Sequence, residues 1–110
     1  MKDLMNELDG LSIQLTHSGE QLKKYGKELA EAEHAYKITL RQEALKLRAE
    51  GMAITLIDKV VYGVPEVADK RLKRDIADTM YKASQESINT LKLKMRILDA
   101  QIQREWHSNG

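Results

Sequence analysis

The chain has no cysteine, no phenylalanine and only one proline, and no sign of charge prevails in it. Without cysteine there is no disulfide framework, no thiolate nucleophile and no Cys-based zinc site, a composition that fits a reducing compartment. Aromatic residues reach only 5%, which leaves too little bulky apolar material for a compact globule with a deep core. The net charge of +1 creates no global field that would draw the protein onto a polyanion or a membrane surface. Electrostatic binding therefore has to come from a local patch. The longest apolar runs, around Ala53 to Ile57 and Val60 to Val64, fall far short of the roughly 20 residues that a spanning helix needs. Met1-Lys2-Asp3 opens an amphipathic segment rather than a continuous apolar one, so we expect no signal peptide, no membrane partner and a cytoplasmic protein.

What the chain does have is helix-forming periodicity. Its 110 residues, 32% of them charged, suit a single domain of long helices that bury one stripe each and leave the rest in water. From the amino terminus, Leu8, Leu15, Leu22, Leu29 and Tyr36 mark one core position of a heptad pattern, and Leu4, Leu11, Tyr25 and Ala32 mark the other. An extra step of four through Leu40, Ala44 and Leu47 relaxes the supercoil locally. Gly51 then suits the left-handed residue that follows a last helical turn, so the pattern predicts a helix over about 3–50. Gly10, Gly19 and Gly26 each weaken that helix by about 1 kcal/mol relative to Ala. Ser18 with Gln21 forms a capping-box pattern, which leaves a break near residues 16 to 19 as the alternative to a continuous helix.

Thr55 with Asp58 is a second capping-box pattern and predicts a short helix over about 55–62, closed by Gly63. Pro65 suits the first position of a further helix over about 65–106, with Glu66 and Asp69 near its positive end. The stripe we assign to this helix runs Leu72, Ile76, Met80, Ser84, Ile88, Leu91, Met95, Leu98, Ile102 and Trp106. The two long helices measure about 70 Å and about 60 Å at 1.5 Å rise per residue, and the connection allows them to fold back on each other. The expected fold is all-α, a long antiparallel, coiled-coil-like helical hairpin with a short helix in its connection. Facing residues should have numbers totalling about 113 to 120, which puts Leu22 near Leu91 to Leu98 and Tyr36 near Ala77 to Ser84.

Little in the chain points to catalysis. Glu31 and His34 have the Glu-x-x-His spacing of di-iron bundles, with Glu86 as an additional carboxylate, but the heptad register turns all three away from the core stripe. His17 and His107 have no partner at catalytic spacing, and no serine sits in a glycine-flanked elbow. Gly51 and Gly63 lack the spacing and the Lys-Ser/Thr ending of a phosphate loop. Met80 and Met95 lie on the assigned stripe and are read as core. No catalytic residue, cofactor or metal is expected.

Charge is uneven along the chain. Residues 1–36 hold four lysines against seven carboxylates, residues 37–74 hold nine Lys and Arg against five, and residues 75–110 hold five of each sign. The turn end is therefore basic, and Arg48, Lys59, Lys70, Arg71, Lys73 and Arg74 are the candidate contacts to nucleic acid. Interspersed carboxylates and a shortage of aromatic side chains for stacking, Tyr62 apart, favour a solvated face instead. A second apolar set, Leu93, Ile97 and Ala100, lies opposite the stripe of the last helix and calls for a covering surface. Self-association supplies one, and Leu93 and Ile97 are the candidate contacts of a homodimer.

The run Arg48-Ala49-Glu50-Gly51, then Thr55, Asp58 and Gly63, then Tyr81-Lys82-Ala83, Glu86-Ser87-Ile88 and Gln103-Arg104-Glu105-Trp106, resembles small helical-hairpin proteins of phages and prophages of Gram-positive bacteria. The resemblance spans about residues 30 to 106 and consists of a helix, a glycine-bounded turn and a helix. It implies a phage context and supplies no site residues, since such proteins are commonly of unassigned function. From the residues and the resemblance together, the expectation is a non-enzymatic protein–protein interaction module, homodimeric, whose partner is a phage or host protein. The alternative is an accessory nucleic-acid binder that uses the basic turn end.

Overall fold

The computed structural model describes Met1–Asn109. It contains three α-helices, α1 (Lys2–Ala49), α2 (Ile54–Val60) and α3 (Pro65–Asn109), with a 3-10 turn at Val61–Gly63 between the last two. No described residue lies in a strand, and α1 packs against α3 as the arms of an antiparallel hairpin. Among the described residues no helix is long and apolar enough to cross a membrane. Contacts group the chain into two compact units, one of Tyr25–Tyr81 and one of Met1–Lys24 with the residues from Lys82 onward.

The first of these units contains the connection, and its core forms because three elements meet there. Tyr36 of α1, Ile57 of α2, Val61 of the 3-10 turn and Val67 of α3 are buried together, with Leu40, Ala44, Leu47, Met52 and Val64 packed around them. Gly51 makes the turn, with φ at 92°, a value that a side chain would strain. The Met52 N–H donates to the Leu47 carbonyl at 3.1 Å and the Gly51 N–H to the Arg48 carbonyl at 3.0 Å. This Schellman pair satisfies carbonyls that the end of α1 leaves free, and Leu47 and Met52 join the same cluster.

The start of α2 differs from the sequence-based expectation. Its N-cap is Ala53, with no side-chain cap, and Thr55 is exposed within the first turn, so Thr55 and Asp58 form no capping box there. The Leu56 and Ile57 amides both donate to the Ala53 carbonyl, and Ile57 is pulled into the core. Burial of Ile57 fixes this start where a side-chain oxygen was expected to. Gly63 ends the 3-10 turn without a positive φ. Pro65 does open α3, with Glu66 in the first turn.

Facing positions are shifted by about one helical turn from those expected. The Arg74 guanidinium, three residues before the expected range of 77–84, sits 4.6 Å from the Tyr36 ring centroid. Gly26 faces Tyr81, where an added Cβ would come within 3.3 Å of the tyrosine Cε2. In the other unit Leu22 borders a shallow depression with Gln85, Glu86, Ile88, Asn89 and Lys92, which reaches the expected range of Leu91 to Leu98 only at Lys92. The shift follows from the core cluster. The last turns of α1, at Leu40, Ala44 and Leu47, pack against the cluster that the connection completes together with Val67 of α3.

The inward face of α3 corrects the assigned stripe. Buried or half-buried residues recur in a strict heptad: Val67, Arg74, Tyr81, Ile88, Met95 and Ile102 in one row, and Lys70, Ala77, Ser84, Leu91, Leu98 and Glu105 in the other. Leu72, Ile76, Met80 and Trp106 are instead exposed, so Met80 is surface and Met95 alone of the two methionines faces inward. Steps of four advance about 40° each around a helix, so the path from Ile88 back through Ser84, Met80 and Ile76 puts Leu72 about 160° away. The heptad holds its face through polar residues where the apolar steps do not.

In the unit formed by the chain ends, Ile88, Leu98 and Ile102 are buried, and Leu4, Leu8, Leu11, Leu15 and Leu22 form the half-buried stripe expected for α1. The Met1 amino group lies 3.9 Å from a Glu105 carboxylate oxygen. The helix is continuous through residues 16–19. At Gly10 and Gly19 an added Cβ would meet nothing within 4 Å. Replacing either by Ala is therefore expected to raise stability by about 0.5 to 1 kcal/mol in urea unfolding.

Leu98→Ala, at a buried heptad position, is expected to cost about 2 to 4 kcal/mol in the same assay, while Leu72→Ala stays within about 0.5 kcal/mol. Equal losses at the two sites would contradict the heptad face.

Candidate functional site

The six candidate contacts to nucleic acid all fall in the unit of Tyr25–Tyr81. Arg48 is in the last turn of α1, Lys59 is near the end of α2, and Lys70, Arg71, Lys73 and Arg74 lie in the first turns of α3. They do not form one cationic face. At about 100° per residue, Arg71 and Lys73 point about 160° apart, and the half-buried Lys70 and Arg74 occupy the inward rows.

Arg74 is already engaged. Its Nε and Nη2 donate to the same Asp75 oxygen at 3.1 and 2.8 Å while the guanidinium covers the Tyr36 ring. The hydrogen bond to Asp75 holds the guanidinium above its ordinary pKa, against some desolvation, with the charges of Asp75, Tyr36 and Glu33 acting in the same upward direction. A cation held over an aromatic face is a stabilising contact between the arms of the hairpin. Lys46 likewise pairs with Glu43 at 3.2 Å. Residues 25–81 as a whole carry ten basic and ten acidic side chains, so the lysines and arginines of this unit are matched by carboxylates.

The residues weighed for metal chemistry lie on the surface. Glu31, His34 and Glu86 are all exposed, and Glu31 is 3.9 Å from Lys27 one turn earlier. Among the described residues no three His, Cys, Asp or Glu side chains are grouped to hold a metal ion.

A different property distinguishes this unit. Ile38 and Leu45 on α1, Ile54, Leu56 and Val60 on α2, Tyr62 in the 3-10 turn, and Leu72, Ile76 and Met80 on α3 are all between 38% and 59% exposed. Leu72, Ile76 and Met80 share one side of α3, within about 80° of one another, whereas Ile38 and Leu45 lie on the side of α1 away from Tyr36. Ile76 and Met80 line an open, mainly apolar depression with Asp75 and Thr79.

No known protein family, curated protein or solved structure matches this chain. The candidate site thus rests on geometry alone. Reading the sequence placed Leu72, Ile76 and Met80 in the core, and so missed them as surface. The signal that would have found them is the unbroken seven-residue spacing that leads from Ile102 back to Val67.

In the other unit, Leu93 and Ile97 are 51% and 59% exposed, on the face of α3 away from its buried rows. Ile97 also borders a shallow depression with Leu11, Gln14 and Gln101.

Two outcomes check these assignments. Arg74→Ala is expected to lower stability in chemical denaturation through loss of the stacked cation, and Tyr36→Leu should make that substitution nearly silent. Glu31→Ala and His34→Ala should leave the melting temperature unchanged with or without added zinc, because an exposed ion pair contributes little. A zinc-dependent rise in melting temperature that His34→Ala abolishes would establish a metal site.

Proposed function

We propose that the chain is a non-enzymatic protein–protein interaction module that binds its partner through apolar side chains exposed in residues 25–81, with Leu72, Ile76 and Met80 on the outer side of α3 as the contact surface. The observation that carries this reading is the exposure of Leu72, Ile76 and Met80 together on one side of α3, outside its heptad face. Burying such side chains is the main favourable term in association, at roughly 25 cal/mol per Å² of apolar surface. The matched charges around them suit a partner surface of mixed polarity, with the polar rim setting orientation. The resemblance of residues 30–106 to phage and prophage proteins makes that partner a phage or host protein and the setting the bacterial cytoplasm.

Nucleic-acid binding is the second reading, carried by Arg48, Lys59, Arg71 and Lys73, which are exposed. The equal numbers of carboxylates in the unit and the engagement of Arg74 weigh against it.

Capture from host lysate separates the two. The unmodified chain and an Arg71→Ala/Lys73→Ala variant are expected to retain the same polypeptide, and Leu72→Glu/Ile76→Glu to lose it with helicity unchanged. Binding to DNA or RNA that falls steeply from low to moderate salt, and that disappears in the Arg71→Ala/Lys73→Ala variant, would instead support the second reading.

A further inference from the structure

The heptad rows that α3 turns inward leave a second, complementary pattern on its outer side. In the unit formed by the chain ends this outer row consists of Glu86, Thr90, Leu93, Ile97, Ala100 and Arg104, all exposed. Their spacings alternate four, three, four, three, four, which is the spacing of a seam that packs against another helix.

The row is self-complementary when reversed. Glu86 and Arg104 each stand nine residues from Met95, Thr90 and Ala100 each five, and Leu93 and Ile97 each two. Two copies of α3 lying antiparallel, with a twofold axis at the level of Met95, would therefore set Leu93 of one against Ile97 of the other, twice. The same operation sets Thr90 against Ala100 and closes each end of the contact with Glu86 against Arg104. Antiparallel helix pairs match the two seam positions with each other rather than with themselves, and every layer in this register does so. The pairing of an acid with a base at both ends depends on symmetry alone, because a parallel arrangement would set Glu86 on Glu86 and Arg104 on Arg104.

We propose that a second copy of this chain covers the outer face of α3, antiparallel and in the register that pairs Leu93 with Ile97 and Glu86 with Arg104. This inference deepens the reading of the chain as an interaction module by naming one partner, and it uses residues outside the 25–81 surface. Lys94 and Arg96 flank the central layers on either side of the axis, so like charges approach there. With only two strongly apolar layers in the whole contact, one on each side of the axis, and this repulsion, the dimer is a weak one, in the class of small interfaces that exchange readily.

The absence of native cysteine makes the register directly measurable. In a glutathione redox buffer, an equimolar mixture of Leu93→Cys and Ile97→Cys chains is expected to form a disulfide-linked dimer several-fold more than either chain alone. Adding Glu86→Arg to both chains should suppress the mixed product, and adding Glu86→Arg with Arg104→Glu should restore it. Circular dichroism confirms that each variant keeps its helices, as substitutions at exposed positions should. Self-linking of Leu93→Cys as readily as in the mixture, or no recovery in the double charge exchange, overturns the proposed register. Sedimentation of the unmodified chain as a monomer at about 1 mM, above the range of weak specific complexes, overturns the dimer itself. Neither result touches the 25–81 surface, whose test uses Leu72 and Ile76.

Discussion

A pair of helices can enclose nothing by itself, because each side chain on their shared seam still has one open flank. This constraint explains where the protein is solid. Val67, the one fully buried side chain among the described residues, lies where α2 and the 3-10 turn close over the arms of the hairpin, with Tyr36, Ile57 and Val61 around it. The left-handed Gly51 and the Schellman bonds from Met52 and Gly51 return the chain sharply enough for Ile57 to reach that site. The turn is thus a structural element with its own core, and it also sets how far along α1 the first residues of α3 make contact.

Much of the fold is legible in the sequence because the features that specify it are local. The Leu stripe of α1, the stop at Gly51 and the start at Pro65 are each read from a few neighbouring residues, and each stands in the structure. The same rules fail where a nonlocal contact decides. Thr55 and Asp58 look like a cap, yet burial of Ile57 sets the start of α2. The first half of α3 offers its apolar residues at steps of four, but Val67 is buried beside Tyr36 and Arg74 covers the Tyr36 ring, so Lys70 and Arg74 turn inward while Leu72 and Ile76 stay out.

The candidate site was less legible than the fold for the same reason. Basic residues are conspicuous in the sequence, and only coordinates reveal that Arg74 is held by Asp75 and Tyr36 and that its neighbours fan around the helix. The apolar surface of residues 25–81 is invisible until the helix face is known, because the same residues read as core in one register and as surface in the other. The outer row at Leu93 and Ile97 was readable because there the apolar seam and the heptad agree.

The placement of the enclosed cluster also bears on how the chain acquires its structure. Tyr36 and Val67 are separated by a modest stretch of chain, and the residues that join them already favour turn and helix. Closing that loop has a small entropic cost compared with bringing the two termini together, since the cost rises with the length of chain enclosed. Once Tyr36 meets Val67, each further pair of facing residues encloses little additional loop, so pairing can proceed outward one turn at a time. Contacts between the arms thus lengthen steadily in sequence from the connection out to Met1 and Glu105, so the turn is the least costly place for the two arms to meet.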